Sequence, residues 1–154
     1  MKLGFFFCVM FFCYSFPAAS QITIFPVQDF NFGAFYQGNS GGTVDISAAG
    51  LRSATGSIIL LNTGPAVAQA IFDIEAPPGS NISINTSDAI LTGSNGGILT
   101  LRIMGTNPGS PFSTIIQPPG LTRLHLSGSL IIGHQLTSPS GAYQGTFSVT
   151  FNRE

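Results

Sequence analysis

Two histidines, six carboxylates and a scatter of serines are the residues of this 154-residue chain that could do chemistry. His125 and His134 are the only histidines. A zinc site needs three or four ligands in compatible geometry, and no H-x-H, H-E-x-x-H or cysteine partner accompanies either residue. His125 falls on the outward side of an alternating segment, and His134 follows Gly133 in a turn, so both are expected to be exposed. Asp73 and Glu75, two apart, would share one face of a strand. A carboxylate pair can cleave glycosidic bonds when its members stand roughly 5–9.5 Å apart across a cleft. On one strand beside Gln69 the pair is expected to be a solvated face instead. Asp29 and Asp45 are isolated, and neither opens a D-x-D-x-D-G calcium loop.

No G-x-S-x-G surrounds any serine, and the glycine clusters do not precede a helix, so neither an activated serine nor a phosphate cradle is expected. Asn81-Ile82-Ser83 and Asn85-Thr86-Ser87 match the glycosylation triplet, a pattern that arises often by chance. No catalytic, cofactor-binding or metal-binding residue is assigned, and the chain is expected not to be an enzyme.

The elements that would position these groups begin after residue 20. Lys2 followed by the apolar run Leu3–Phe16, then Pro17 and Ala18-Ala19-Ser20, reads as a cleaved signal peptide, with Gln21 the mature N-terminus. About fourteen apolar residues are too few for a span of roughly 20, and bulky Phe7 and Phe12 before Cys8 and Cys13 exclude a lipoprotein signal. The expected location is secreted or periplasmic, associated with the cell surface.

Residues 21–154 then form one domain of 134 residues, long enough to bury a core. Cleavage removes both cysteines and the single lysine, so neither disulfides nor thiolate metal sites are available. Four arginines against six acidic side chains leave a formal charge of −2. The basic stripe of a nucleic-acid binder and the polybasic patch of a membrane-surface protein are both missing.

Strand-like alternation dominates this domain. Leu124, Leu126, Leu130 and Ile132 alternate with Arg123, His125, Ser127, Ser129 and Ile131. Ala68, Ala70, Phe72 and Ile74 alternate with Gln69, Asp73 and Glu75. Further strands are expected within Ile22–Phe35, Thr43–Ser47, Gly56–Asn62, Ser80–Asn85 and Ile98–Met104. Gly, Pro, Asn and Ser clusters punctuate them, and Leu51–Thr55 and Thr63–Ala68 are the two places with room for a helical turn. The expected fold is all-β, an immunoglobulin-like β-sandwich of about seven to nine strands. In the closing segment Tyr143, Phe147, Val149 and Phe151 are expected to point into the core, with Gly145 leaving room for a large neighbour or a bulge.

Phe30-Asn31-Phe32-Gly33, then Gly41-Gly42-Thr43-Val44, then the closing Gly141-Ala142-Tyr143-Gln144-Gly145-Thr146-Phe147-Ser148-Val149-Thr150-Phe151 resemble a secreted bacterial domain family of unknown function. That family is similar in pattern to the spore-coat-protein-U and fimbrial-subunit group. The resemblance runs from about Asp29 to Asn152, and it implies an immunoglobulin-like sandwich with a place in a surface fibre or coat, but no known activity.

Two features of the residues bear on assembly. Gln21–Val27 could be either this domain's own first strand or a strand donated to a neighbour, with Pro26 suiting it to an edge. The mature domain also lacks the lysines that usually guard exposed strand edges. The expected function is therefore a non-enzymatic structural or adhesion-type subunit that associates with itself or with sister subunits through strand edges. The alternative is a module that binds polysaccharide or another surface component.

Overall fold

A computed structural model describes residues 21–154; residues 1–20, where a signal peptide is expected, lie outside the described residues. The alternating segments all become strands, and the described residues contain no helix. There are thirteen strand segments: β1 (Thr23–Gln28), β2 (Phe35–Gln37), β3 (Gly42–Ile46), β4 (Arg52–Ala54), β5 (Ile58–Leu60), β6 (Ala70–Glu75), β7 (Asn81–Thr86), β8 (Ala89–Gly93), β9 (Ile98–Asn107), β10 (Phe112–Ser113), β11 (Thr122–Ile132), β12 (Tyr143–Gln144) and β13 (Val149–Arg153). They outnumber the expected strands because the short β4, β8 and β10 fall outside the expected segments and the closing segment divides into β12 and β13; Ile22–Phe35 yields only β1, and β2 begins at its last residue. Leu51–Thr55 holds strand β4, paired with β3, not a helical turn. Thr63–Ala68 is irregular and ends in a bridge from Ala68 to Asn31.

β11 organises the main sheet. One edge pairs with β9, while the other pairs first with β6 and then with β3. The whole sheet runs β1-β6-β11-β9-β8-β12, with β4 outside β3. The period-2 pattern read from β11 holds along its full length: Leu124, Leu126, Leu130 and Ile132 are buried. Met104 is the extra residue of a bulge on β9, which lies between the pairs Gly105–Ser127 and Ile103–Gly128.

Two smaller sheets cover the inner face of the main sheet. β10-β7-β13 lies over the β6 end, where Ile82, Ile84, Phe112, Val149 and Phe151 meet Ala70, Ile74, Leu124 and Leu126. The β2–β5 ribbon lies over the other end, where Phe35, Ile58 and Leu60 meet Val44, Ile46, Leu99, Leu101, Leu130 and Ile132. Phe30, Ile103 and Phe147 belong to both clusters and join them into one core.

The closing segment serves both layers. Tyr143-Gln144 pairs with β8 in the main sheet, and Val149–Arg153 pairs with β7 in the facing one. Tyr143, Phe147, Val149 and Phe151 turn inward as expected, each half-buried. Gly145 sits where the chain changes sheets. A Cβ there would meet the Ile90 carbonyl oxygen at 2.4 Å, so the glycine admits backbone rather than a large side chain or a bulge.

Candidate functional site

The titratable residues do not converge. His125, on β11, places its Nδ1 3.3 Å from Gln69 Nε2. His134 is exposed, and its carbonyl caps the turn at Thr137 and Ser138. Among the described residues no three His, Cys, Asp or Glu side chains gather to hold a metal ion. Asp45 accepts hydrogen bonds from Ser129 Oγ and Thr43 Oγ1 on the outer face of the main sheet. Asp29 is exposed just after β1.

Asp73 departs from the expected solvated face: it is only 7% exposed. β6 lies between β1 and β11, and register sets Arg123 directly opposite Asp73. Arg123 Nε and a terminal nitrogen donate to the two carboxylate oxygens at 2.8 and 2.9 Å. That fork holds the Asp73 carboxyl below its ordinary range, against the upward push of desolvation. Glu75 next along is half-buried opposite Thr23, so the two carboxylates occupy different environments and form no acid–base pair across a cleft.

The distinctive surface lies elsewhere. The layer facing the main sheet is not filled across its width. A groove opens between residues 29–37 on one bank and 139–147 on the other. Its wider part encloses about 480 Å³, with Leu91, Leu99, Leu130 and Ile132 among its lining residues. A narrower continuation of about 230 Å³ runs past Leu101 to Phe147. No charged side chain lines the wider part, and Asp29 is the one charge at the narrower end. Among the described residues no backbone hydrogen bond joins the two banks.

Each bank is built by one of the motif segments. On the first, Phe30 and Phe32 stack with ring centroids 5.6 Å apart. Phe30 reaches down to β11, where a Cβ on Gly128 would stand 2.9 Å from its ring; glycine leaves that space open. Asn31 bonds Ala68 through both backbone groups, and its Oδ1 accepts the Gly33 N–H at 2.9 Å. On the second bank, the Tyr143 hydroxyl donates to the Pro139 carbonyl, and burial raises the phenol pKa, keeping it neutral. Ala142 is tied to the β8–β9 turn through Ser94.

Arg52 fixes the first bank. Its guanidinium donates to the carbonyls of Phe32 (3.0 Å), Ala34 (3.2 Å) and Leu61 (2.7 Å). This role is not legible in the sequence, because the carbonyls it serves come from residues 32, 34 and 61. The fork geometry of arginine suits three carbonyls converging from two segments.

A model of a family described as Domain of unknown function (DUF4402) matches residues 22–152. The chain belongs to this family. No curated protein and no solved structure matches it. The DUF4402 match covers both banks of the groove, all thirteen strand segments apart from the last residue of β13, and the Arg52 anchor. Both banks of the groove thus lie within the matched region.

Proposed function

We propose that this DUF4402 domain is a non-enzymatic, secreted structural or adhesion-type subunit of the bacterial surface that associates with copies of itself or with sister subunits through β-strand edges. The groove between 29–37 and 139–147 carries this reading. Its floor is core leucine and isoleucine, the lining of its wider part is uncharged, and its banks lack backbone partners across the gap. An added extended segment could bond to such banks while its alternate side chains meet the floor.

A second feature points the same way. β1 is the edge of the main sheet, paired only with β6. It carries no charge, contains Pro26 and exposes Phe25 and Val27, so lysine does not guard it. The test is the oligomeric state of residues 21–154, with and without Gln21–Val27, by size-exclusion chromatography with light scattering. Concentration-dependent assembly that the deletion abolishes is the expected result. A monomer at high concentration, unchanged by the deletion, would overturn the proposal.

A module for polysaccharide or another surface component is the second reading. It rests on Tyr36, exposed beside its cross-strand partner Ile59 on the outer face of the β2–β5 ribbon. Aromatic faces of this kind stack on sugar rings. Retention on a glycan array that is lost in Tyr36→Ala is expected on this reading, and no retention by folded protein removes it.

A further inference from the structure

The turn between β8 and β9 contains the only Asn-Gly pair of the chain, Asn95-Gly96, and the same asparagine ties down the second bank of the groove. Asn95 Nδ2 donates to the Ser140 carbonyl at 2.8 Å. Beside it, Ser94 N–H donates to the Ala142 carbonyl at 2.8 Å, and Ala142 N–H returns a bond to Ser94 Oγ at 3.1 Å. Asn95 and Gly96 are both exposed. Gly96 has a φ of +83° and nothing within 4 Å of the position a Cβ would take, so no side chain hinders its backbone nitrogen.

From this geometry we infer that Asn95 is a site of spontaneous deamidation, and that its conversion loosens the 139–143 bank. Solvent base removes the Gly96 amide proton, and the nitrogen attacks Asn95 Cγ. The bond from Cγ to Nδ2 breaks, and ammonia leaves with a proton from solvent. The result is a five-membered imide. Water then opens either of its C–N bonds, leaving a normal aspartyl or an isoaspartyl linkage at position 95. No oxidant, reductant or enzyme is needed.

Two hydrogen bonds gate the first step. Gly96 N–H donates to the Gly93 carbonyl at 3.1 Å, and the Asn95 amide is held by Ser140, so both must open before attack. The conversion rate therefore reports how often this clamp opens. Afterwards the donor facing the Ser140 carbonyl has become a carboxylate, and two acceptors oppose one another. The isoaspartyl form also lengthens the turn backbone by one carbon. This chemistry holds whether or not any segment enters the groove.

The experiment incubates intact protein at neutral and mildly alkaline pH beside a free peptide spanning Ser94–Ile98. Peptide mass mapping follows the amide-to-acid change, and hydrogen exchange follows Ser94 and residues 139–144. Asn95 should convert in the protein more slowly than in the peptide, and faster as pH rises. Exchange at Ser94 and Ala142 should then be roughly tenfold faster in the converted fraction, as loss of a clamp bond predicts. Asn95→Asp should show that faster exchange from the outset, whereas Asn95→Gln should resist conversion. If Asn95→Asp does not fold, aged wild-type protein supplies the same comparison. An Asn95 intact after the peptide has fully converted would overturn the assignment. So would conversion that leaves 139–144 as protected as before.

Discussion

The ring of Phe30 stands 5.4 Å from that of Phe147, tilted by 58°, and this pair spans the groove between its two banks. Phe30 follows β1 and Phe147 precedes β13, so one aromatic contact ties together segments from opposite ends of the domain. Because both rings touch both core clusters, losing either opens the joint between them.

Phe147→Ala should therefore destabilise the domain by about 3 kcal/mol, the lower end for a phenylalanine truncation because the ring is half-buried. Ser148→Ala, on the exposed face, should fall within about 0.5 kcal/mol of wild type. Urea denaturation of both, with a Phe30→Ala and double-variant cycle, should give a coupling of about 0.5–1.5 kcal/mol for the ring pair. Equal effects at 147 and 148 would refute the register of this segment.

Arg52→Lys should cost about 2 kcal/mol, since charged hydrogen bonds contribute about 1.5–3 kcal/mol and an ammonium cannot serve three carbonyls from two segments at once. Hydrogen exchange should show the loss concentrated at 32–34 and 60–62. An Arg102→Lys control should be nearly silent, because the Arg102–Asp88 pair is exposed on both sides.

The Asp73–Arg123 fork makes stability depend on acid pH. The folded-state pKa of Asp73 lies below its unfolded value, so its contribution is complete above the unfolded pKa, near 3.8. It is lost as pH falls through the folded pKa. Denaturation midpoints measured from about pH 5 down to about pH 2 should drop more steeply in wild type than in Asp73→Asn, which lacks that titration. Parallel profiles would show that the fork does not couple to folding.

Gly145→Ala should destabilise by about 1–3 kcal/mol, the usual range for an overpacked site, because its methyl group would run into the Ile90 backbone carbonyl. Gly109→Ala, with open space around the new methyl, should change stability by less than about 0.5 kcal/mol. Thermal denaturation of the two variants makes the comparison.

Much of the architecture was legible because period-2 alternation needs only local sequence. β11 and the closing segment could be read residue by residue. β8 could not: Ala89–Gly93 mixes one apolar pair with Thr and Gly, and tertiary pairing with β9 makes it a strand. β4 was equally silent, since Arg52 looks outward-facing until the carbonyls it serves are in place. Asp73 shows the same limit, because alternation predicts which face a side chain takes but not what covers that face. The groove was illegible for a related reason. It is a gap between Phe30-Asn31-Phe32-Gly33 and Gly141–Phe147, segments more than a hundred residues apart, and only the sheet order brings them face to face.

The change of sheet at Gly145 also sets how the domain would bear mechanical tension. A pull at Glu154 acts first on β13, which five residue pairs hold to β7. The two pairs of β12 with β8 sit behind that contact and feel the force only after it yields. A load applied through the C-terminal segment would thus meet the larger set of pairs before the smaller one, with Phe147 lying between the two.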